Sequence, residues 1–151
     1  MNCRKALLES EGNLEKALQI LKEQSLLRVK KKANRIANQG LVEAYIHAGG
    51  RIGAMIEVNC ETDFVSRTAE FRELAHHMAM QVAAMNPCFI SKEELPNDSD
   101  LEPDKACLLL QPDIRDSSKC IQDTIAETIA RVGENIKVSR FARFELGELE
   151  K

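Results

Sequence analysis

Four reactive side chains, Cys60, Glu61, Asp63 and Ser66, lie close together in one short segment of the chain. A cysteine nucleophile needs a positioned base to form its thiolate, and the nearest histidine in the sequence is His47. Glu61 and Asp63 could act as paired acids, but no second carboxylate pair converges on them from another motif. The stronger interpretation is that Cys60 is a half-buried residue at the end of a strand, so covalent catalysis is not expected.

The remaining sequence offers no other reactive constellation. The five cysteines are odd in number and never closer than thirteen positions, and no histidine stands at zinc-ligand spacing. The sequence has no phosphate-binding loop and no glycine-rich dinucleotide motif. We therefore expect no metal, no cofactor and reduced thiols, which are typical of the cytosol or of an organelle stroma or matrix.

The same segment also carries Phe64, an aromatic residue in a polar loop. Residues 51–59 alternate between apolar and polar side chains, which indicates a half-buried strand. A helical apolar period begins at Phe71 and continues to Met85. A large apolar side chain on the loop between two such elements is either a lid over the local core or a probe for a partner.

Residues 58–65 read VNCETDFV and resemble the signature of the elongation factor Ts family, the guanine-nucleotide exchange factors of elongation factor Tu. Further segments match in the same order: 1–7 with 12–21, then 31–42, and finally 129–147. The resemblance covers nearly the whole chain and is weakest between residues 97 and 105. Collinear segments are far more specific than one short motif.

The resemblance implies a role for each residue of the TDFV segment. Phe64 would enter a hydrophobic slot in the nucleotide domain of elongation factor Tu and displace its magnesium-binding region. Asp63 would anchor the loop, and Thr62 and Val65 would shape it. Such a protein speeds the release of GDP without covalent chemistry.

The resemblance also implies two further contacts with elongation factor Tu. Val132 and Gly133 match a second contact with the nucleotide domain, and Met1 matches an apolar contact of the N-terminal module. Gly133 has an equally good structural interpretation as the C-terminal stop of a helix.

Two short helices at residues 2–10 and 13–21 are predicted at the N-terminus, and they resemble the last two helices of a ubiquitin-associated-like module. A third helix, 26–38, is basic and ends at Gly40. The predicted domains are a truncated helical module (1–25), a basic linker helix (26–40), the elongation factor Ts core (41–147) and a tail (148–151).

The core is predicted to be α+β, a three-stranded antiparallel sheet packed with helices. The predicted elements are strands 41–47 and 51–59, a helix 68–85, a helix beginning at residue 117 or 118, and a strand 136–146 with a bulge or twist. The segment 107–110 reads as a sheet edge or as a tail for a second subunit. His76 and His77 are predicted to be surface residues.

Composition limits the partners. The net charge of the 151 residues is −3, which excludes a generally basic nucleic-acid coat, and no apolar run approaches the roughly 20 residues that span a bilayer. We therefore expect a soluble protein with no membrane and no direct nucleic-acid partner. An alternative is a ribosome- or RNA-associated module that uses the basic segment 28–35. Because the chain has length for one core subdomain, the resemblance implies a homodimer.

Overall fold

The computed structural model describes residues 2–148. In chain order the elements are α1 (Asn2–Glu9), α2 (Leu14–Lys32), β1 (Gln39–Ile46), β2 (Ile52–Cys60), α3 (Asp63–Ser66), α4 (Ala69–Met85), α5 (Pro103–Ala106), α6 (Ile121–Val132) and β3 (Lys137–Glu145), with 3-10 turns at Lys92–Glu94 and Leu108–Leu110. The strands form one antiparallel sheet in the order β1-β2-β3. The predicted α+β class is confirmed. None of the helices in this part of the chain is long and apolar enough to cross a membrane.

The two N-terminal helices form a hairpin. Gly12 has a φ of +82°, which allows the chain to reverse after α1, and the side chain of Asn13 accepts a hydrogen bond of 3.1 Å from the backbone N–H of Lys16 at the start of α2.

The prediction of separate helices at 13–21 and 26–38 is wrong, because α2 runs without a break from Leu14 to Lys32. Residues 22–25 contain no glycine or proline, so nothing interrupts the helix. The helix also stops well before Gly40, which lies in β1. The boundary proposed between residues 25 and 26 therefore falls inside one helix.

The sheet is built as the sequence predicts. Gly49 and Gly50 have φ values of +94° and +69° in the turn between β1 and β2. In β3, Ser139 is an extra residue between the partners of Glu57 and Val58, so the predicted bulge is confirmed.

The two faces of the sheet differ in what covers them. Helix α4 packs on β1 and β2, α6 packs on α4, and the buried core lies between these layers. The opposite face has no covering element within residues 2–148. Five large apolar side chains on or beside it are exposed: Val42, Ile46, Met55, Phe144 and Leu146.

The segment 107–110 is neither a sheet edge nor a free tail. Leu108 is fully buried in the chain's own core. The adjacent Gln111 is also fully buried, and its side-chain amide donates to the backbone carbonyls of Lys105 (2.7 Å) and Met85 (3.3 Å). These bonds satisfy polar groups beside the core and fix the segment in place.

The helix α6 begins at Ile121, later than predicted. The carboxylate of Asp116 accepts the backbone N–H of Ser118 at 3.1 Å, which forms a turn instead of a first helical residue. The N-terminus is then capped by Asp123, whose carboxylate accepts the backbone N–H of Cys120 at 3.1 Å.

His77 is not a surface residue, in contrast to the prediction, whereas His76 is exposed. The Nε2 of His77 lies 2.9 Å from the carboxylate of Asp113, which also accepts the Thr124 hydroxyl (2.5 Å) and the Arg115 backbone N–H (2.7 Å). Burial raises the pKa of Asp113, but these hydrogen bonds outweigh burial, so its pKa is lower than usual. The partner that buries His77 is remote in sequence.

Candidate protein-docking site

The turn after β2 places two neighbouring apolar side chains in opposite environments. The phenyl ring of Phe64 is 78% exposed, whereas Val65 is only 6% exposed and belongs to the core. Both residues lie in the single turn α3, so their directions differ by the rotation per residue of a helix. Phe64 is therefore not a lid over the local core.

Local hydrogen bonds hold this turn in shape. The hydroxyl of Ser66 donates to the carbonyl of Asp63 at 2.7 Å, and the hydroxyl of Thr68 donates to the carbonyl of Val65 at 2.7 Å. The carboxylate of Asp63 pairs with Arg67 at 3.0 Å, but both side chains are exposed, so this ion pair adds little. Within the turn, the hydrogen bonds from the Ser66 and Thr68 hydroxyls to backbone carbonyls therefore matter more than this ion pair.

The second predicted contact segment lies beside this turn. Gly133 ends α6 with a φ of +78°, and Val132 before it is half-buried. The carboxylate of the next residue, Glu134, accepts the backbone N–H of Thr62 at 3.0 Å and its hydroxyl at 2.9 Å. The structure thus brings together two segments that lie some seventy residues apart in the sequence.

A matching bond runs in the opposite direction. The carboxylate of Glu61 accepts the backbone N–H of Asn135 at 2.7 Å, so each segment supplies an acid that binds a backbone N–H of the other. Glu134 lies in the matching segment 129–147, but neither the residues nor the resemblance predicts a hydrogen bond between Glu134 or Glu61 and the other segment. Only the antiparallel pairing of β2 with β3 indicates that these residues can meet.

The basic end of α2 also joins this region. The ammonium group of Lys32 donates to the carbonyl of Gly133 at 2.7 Å, and the guanidinium of Arg35 lies 3.6 Å from the carboxylate of Glu61. Two of the basic side chains of segment 28–35 therefore have partners within the chain. This arrangement weakens the case for that segment as a phosphate-binding surface, because fewer of its cations are available to neutralise phosphates.

Cys60 is unsuited to nucleophilic chemistry. It is fully buried, and its thiol donates to the carbonyl of Thr62 at 3.1 Å. Burial raises its pKa to about 11, so the thiol is protonated near neutral pH. Among residues 2–148 we also find no group of three or more histidine, cysteine or acidic side chains arranged to hold a metal ion.

Met1, the remaining predicted contact, lies outside the described residues. The other site residues combine an exposed aromatic ring, a rigid turn that carries it and a helix end beside it. This arrangement is typical of a protein that docks on a partner through an apolar anchor.

Comparison with known proteins identifies the family. The sequence model described as Elongation factor TS matches residues 9–108. Relatives named Elongation factor Ts align along nearly the whole chain. Those of Caldanaerobacter subterraneus subsp. tengcongensis, Moorella thermoacetica and Thermotoga neapolitana are 46%, 43% and 43% identical over 98% of this chain and 89%, 88% and 89% of their own. The chain belongs to the elongation factor Ts family, a family of translation elongation factors, and the resemblance stated from its sequence is confirmed.

Proposed function

We propose that this chain is a guanine-nucleotide exchange factor that binds elongation factor Tu with GDP and accelerates GDP release during translation elongation. The observation that carries this proposal is the exposed ring of Phe64 on a rigid turn, in a chain of this family. The protein works where ribosomes and elongation factor Tu are found. That compartment is a bacterial cytoplasm, a plastid stroma or a mitochondrial matrix.

The physics of the proposal is mechanical displacement rather than chemistry. A GTPase holds GDP through phosphate contacts and a magnesium ion positioned by nearby loops. An apolar side chain that enters between those loops moves the magnesium-binding region and weakens the hold on the phosphates. No covalent bond in either protein is made or broken. The chain therefore changes the rate of nucleotide exchange and not the final ratio of bound GDP to bound GTP.

The four residues of the TDFV segment fall into two pairs, one facing the partner and the other facing the chain itself. Phe64 enters the partner's hydrophobic slot, and Asp63 anchors the turn on the partner. Thr62 and Val65 shape the turn from within: Thr62 is bonded to Glu134, and Val65 is held in the core. Because the side chain of Val65 is buried, we propose that Val65 supports the turn and does not itself contact the partner.

The second proposed contact is the end of α6, at Val132 and Gly133. The position of a Cβ at Gly133 would be open space, so the backbone there can be approached closely by a partner. Met1 is proposed as an additional apolar contact. The fastening of Glu134 to Thr62 supports a single docking surface made of both described segments.

We also propose that two copies of the chain form a homodimer through the uncovered face of the sheet. Phe144, Ile46 and Leu146 on this face are each about two-thirds exposed. An exposed apolar surface of this kind is typical of an interface, and a two-fold axis would let the same surface cover itself. The dimer would then bind two copies of the GTPase.

The function is tested by the release of a fluorescent GDP analogue from elongation factor Tu, followed by stopped flow. We expect the chain to accelerate release and Phe64→Ala to lose most of that acceleration. Leu101→Ala is the matched control, because Leu101 is an exposed apolar residue in a loop outside the proposed contacts. Full activity of Phe64→Ala would contradict the site, and an inactive wild-type chain would contradict the function.

A further inference from the structure

Glu134, which follows the end of α6, makes several hydrogen bonds to the Phe64 turn, the segment that consists of the N-cap residue Thr62 and the helical turn α3. Both of its carboxylate oxygens lie 2.9 Å from the hydroxyl of Thr62, and one of them also accepts the backbone N–H of Thr62 at 3.0 Å. Hydrogen bonds to an ionised carboxylate are shorter and stronger than those between neutral groups. Glu134 therefore holds the residue that begins the turn.

This contact also determines how Thr62 caps α3. The side-chain oxygen of Thr62 accepts the backbone N–H of Val65 at 3.4 Å, which is a long hydrogen bond. A hydroxyl has one hydrogen and two lone pairs. When Glu134 takes the hydrogen, the lone pairs remain for Val65, so the carboxylate orients the cap of the turn that carries Phe64.

Glu134 is itself attached to a fixed part of the fold. Asn135, the next residue, is buried, and its side-chain amide donates to the carbonyl of Arg35 at 2.9 Å. Its backbone N–H donates to Glu61 at 2.7 Å, and the carbonyl of Gly133 accepts from Lys32 at 2.7 Å. The residues on both sides of Glu134 are thus anchored, and the carboxylate is held in place.

We infer that Glu134 is a positioning residue for Phe64. It fastens the Phe64 turn to the end of α6 and keeps the exposed ring in one outward orientation. The inference rests on the proposed function, because the ring is positioned for insertion into the GTPase. Glu134 acts through the turn, whereas Phe64 contacts the partner.

The positioning itself is measured without a partner. Fluorine NMR of a chain labelled with 4-fluorophenylalanine follows the mobility of residue 64, and hydrogen exchange follows the backbone amides of residues 62–66. In Glu134→Ala we expect these amides to exchange about tenfold faster and the fluorine signal to report a more mobile ring. Glu134→Gln keeps one acceptor oxygen and should give an intermediate result.

Glu23→Ala is the matched control. It removes the same charged group from an exposed position on α2, where, among residues 2–148, the carboxylate accepts only from Gln19 at 3.3 Å. We expect no change at residues 62–66 in this variant. Far-UV circular dichroism checks that each variant is folded.

A double-mutant cycle then tests whether Glu134 acts through Phe64. In the GDP-release assay we expect Glu134→Ala to slow release about tenfold in the wild-type chain, and less than twofold when Phe64 is already alanine. A structural defect elsewhere would reduce activity equally in both backgrounds.

Two results would overturn the inference. One is unchanged amide exchange and ring mobility in Glu134→Ala; the other is an equal loss of activity in both Phe64 backgrounds, which would mean that Glu134 does not act through Phe64. The NMR and exchange measurements decide the positioning claim even if the wild-type chain fails to release GDP. Failure of the inference and failure of the proposed function are therefore distinguishable.

Discussion

Phe64 and Val65 are adjacent in one turn of helix but lie in opposite environments, one in solvent and the other in the core. Val65 is part of the core that supports the turn, and Phe64 contributes almost nothing to the interior of its own chain. A solvent-exposed phenyl ring of this kind adds little to the stability of its own chain. Its contribution is therefore expected in binding to a partner.

Substitution of these two residues should separate stability from function. We expect Val65→Ala to lower the free energy of unfolding by about 2 kcal/mol, because a buried side chain is removed and a cavity is left. Phe64→Ala should change it by less than about 0.5 kcal/mol, as is usual for exposed positions. Urea unfolding measures both values, and a large loss of stability in Phe64→Ala would show that the ring packs on its own chain.

Asp113 gives the molecule a titratable structural group. Its pKa is lowered in the folded state, so the stability it contributes is present above its unfolded pKa of about 3.9 and is lost as the pH falls through its folded pKa. The hydrogen bond from Thr124 is one cause of this lowering, together with those from His77 and the Arg115 backbone.

Removal of the Thr124 hydroxyl should weaken this effect. We expect Thr124→Val to be about 1 kcal/mol less stable than the wild type at pH 7. The deficit should shrink as the pH falls through the folded pKa of Asp113, because the carboxyl group then becomes protonated in both folded proteins. Urea unfolding at pH 7 and pH 3.5 measures this difference, and a deficit that grows on acidification would contradict the assignment.

At the scale of elements, the fold was largely predictable because its signals are local. The alternation in β2, the paired glycines of the β1–β2 turn and the apolar stripe of α4 each lie within a few residues of the element they specify. The resemblance also pointed to the segment that carries Phe64. In the structure this segment is a helical turn capped by Thr62, and Phe64 is exposed on it.

The features that sequence reasoning missed depend on residues far apart in the chain. The burial of His77 could not be predicted, because Asp113, the residue that pairs with it in the interior, lies in a loop 36 residues later in the chain. No role was predicted for Glu134, because its partner Thr62 is 72 residues earlier in the chain and α4 and α6 lie between them in the sequence. The continuity of α2 is a local feature: residues 22–25 contain no glycine or proline, so the two predicted helices form one.

Two glycines with similar backbone conformations provide a test of the second contact. Gly133 ends α6 and Gly12 lies in the turn after α1, both have a φ near +80°, and at both positions a Cβ would meet nothing within 4 Å. Alanine at either position should therefore lower stability by about 1 kcal/mol, from the strained backbone alone.

Only one of these substitutions should affect nucleotide exchange. We expect Gly133→Ala to slow GDP release from elongation factor Tu, because its added methyl group lies where the partner backbone would approach. Gly12→Ala is the matched control and should release GDP at the wild-type rate after correction for the folded fraction. Equal rates for the two variants would mean that Gly133 is only a helix stop.

At the scale of the whole molecule, the uncovered sheet face is the surface through which we propose that two copies of the chain associate. The other face of the sheet is covered by α4, on which α6 packs, whereas this face has no covering layer within residues 2–148. A second copy would complete the layers and remove five exposed apolar side chains from water.

A charge in this face should prevent association. We expect the wild-type chain to sediment as a dimer at micromolar concentration and Phe144→Asp to sediment as a monomer, because the carboxylate would be buried without a partner. Leu101→Asp, in an exposed loop away from the sheet, should remain a dimer. A wild-type chain that is monomeric at this concentration would refute the proposed dimer.

The central claim is that insertion of the Phe64 ring and binding of GDP each lower the affinity of elongation factor Tu for the other. It is tested most directly by two affinities. Isothermal titration calorimetry can measure the dissociation constant of the chain for nucleotide-free elongation factor Tu and for its GDP complex. Because coupling is reciprocal, we expect the affinities to differ on the order of a thousandfold, about 4 kcal/mol, and this difference to collapse in Phe64→Ala. Equal affinities of the wild-type chain for the two forms would contradict the account.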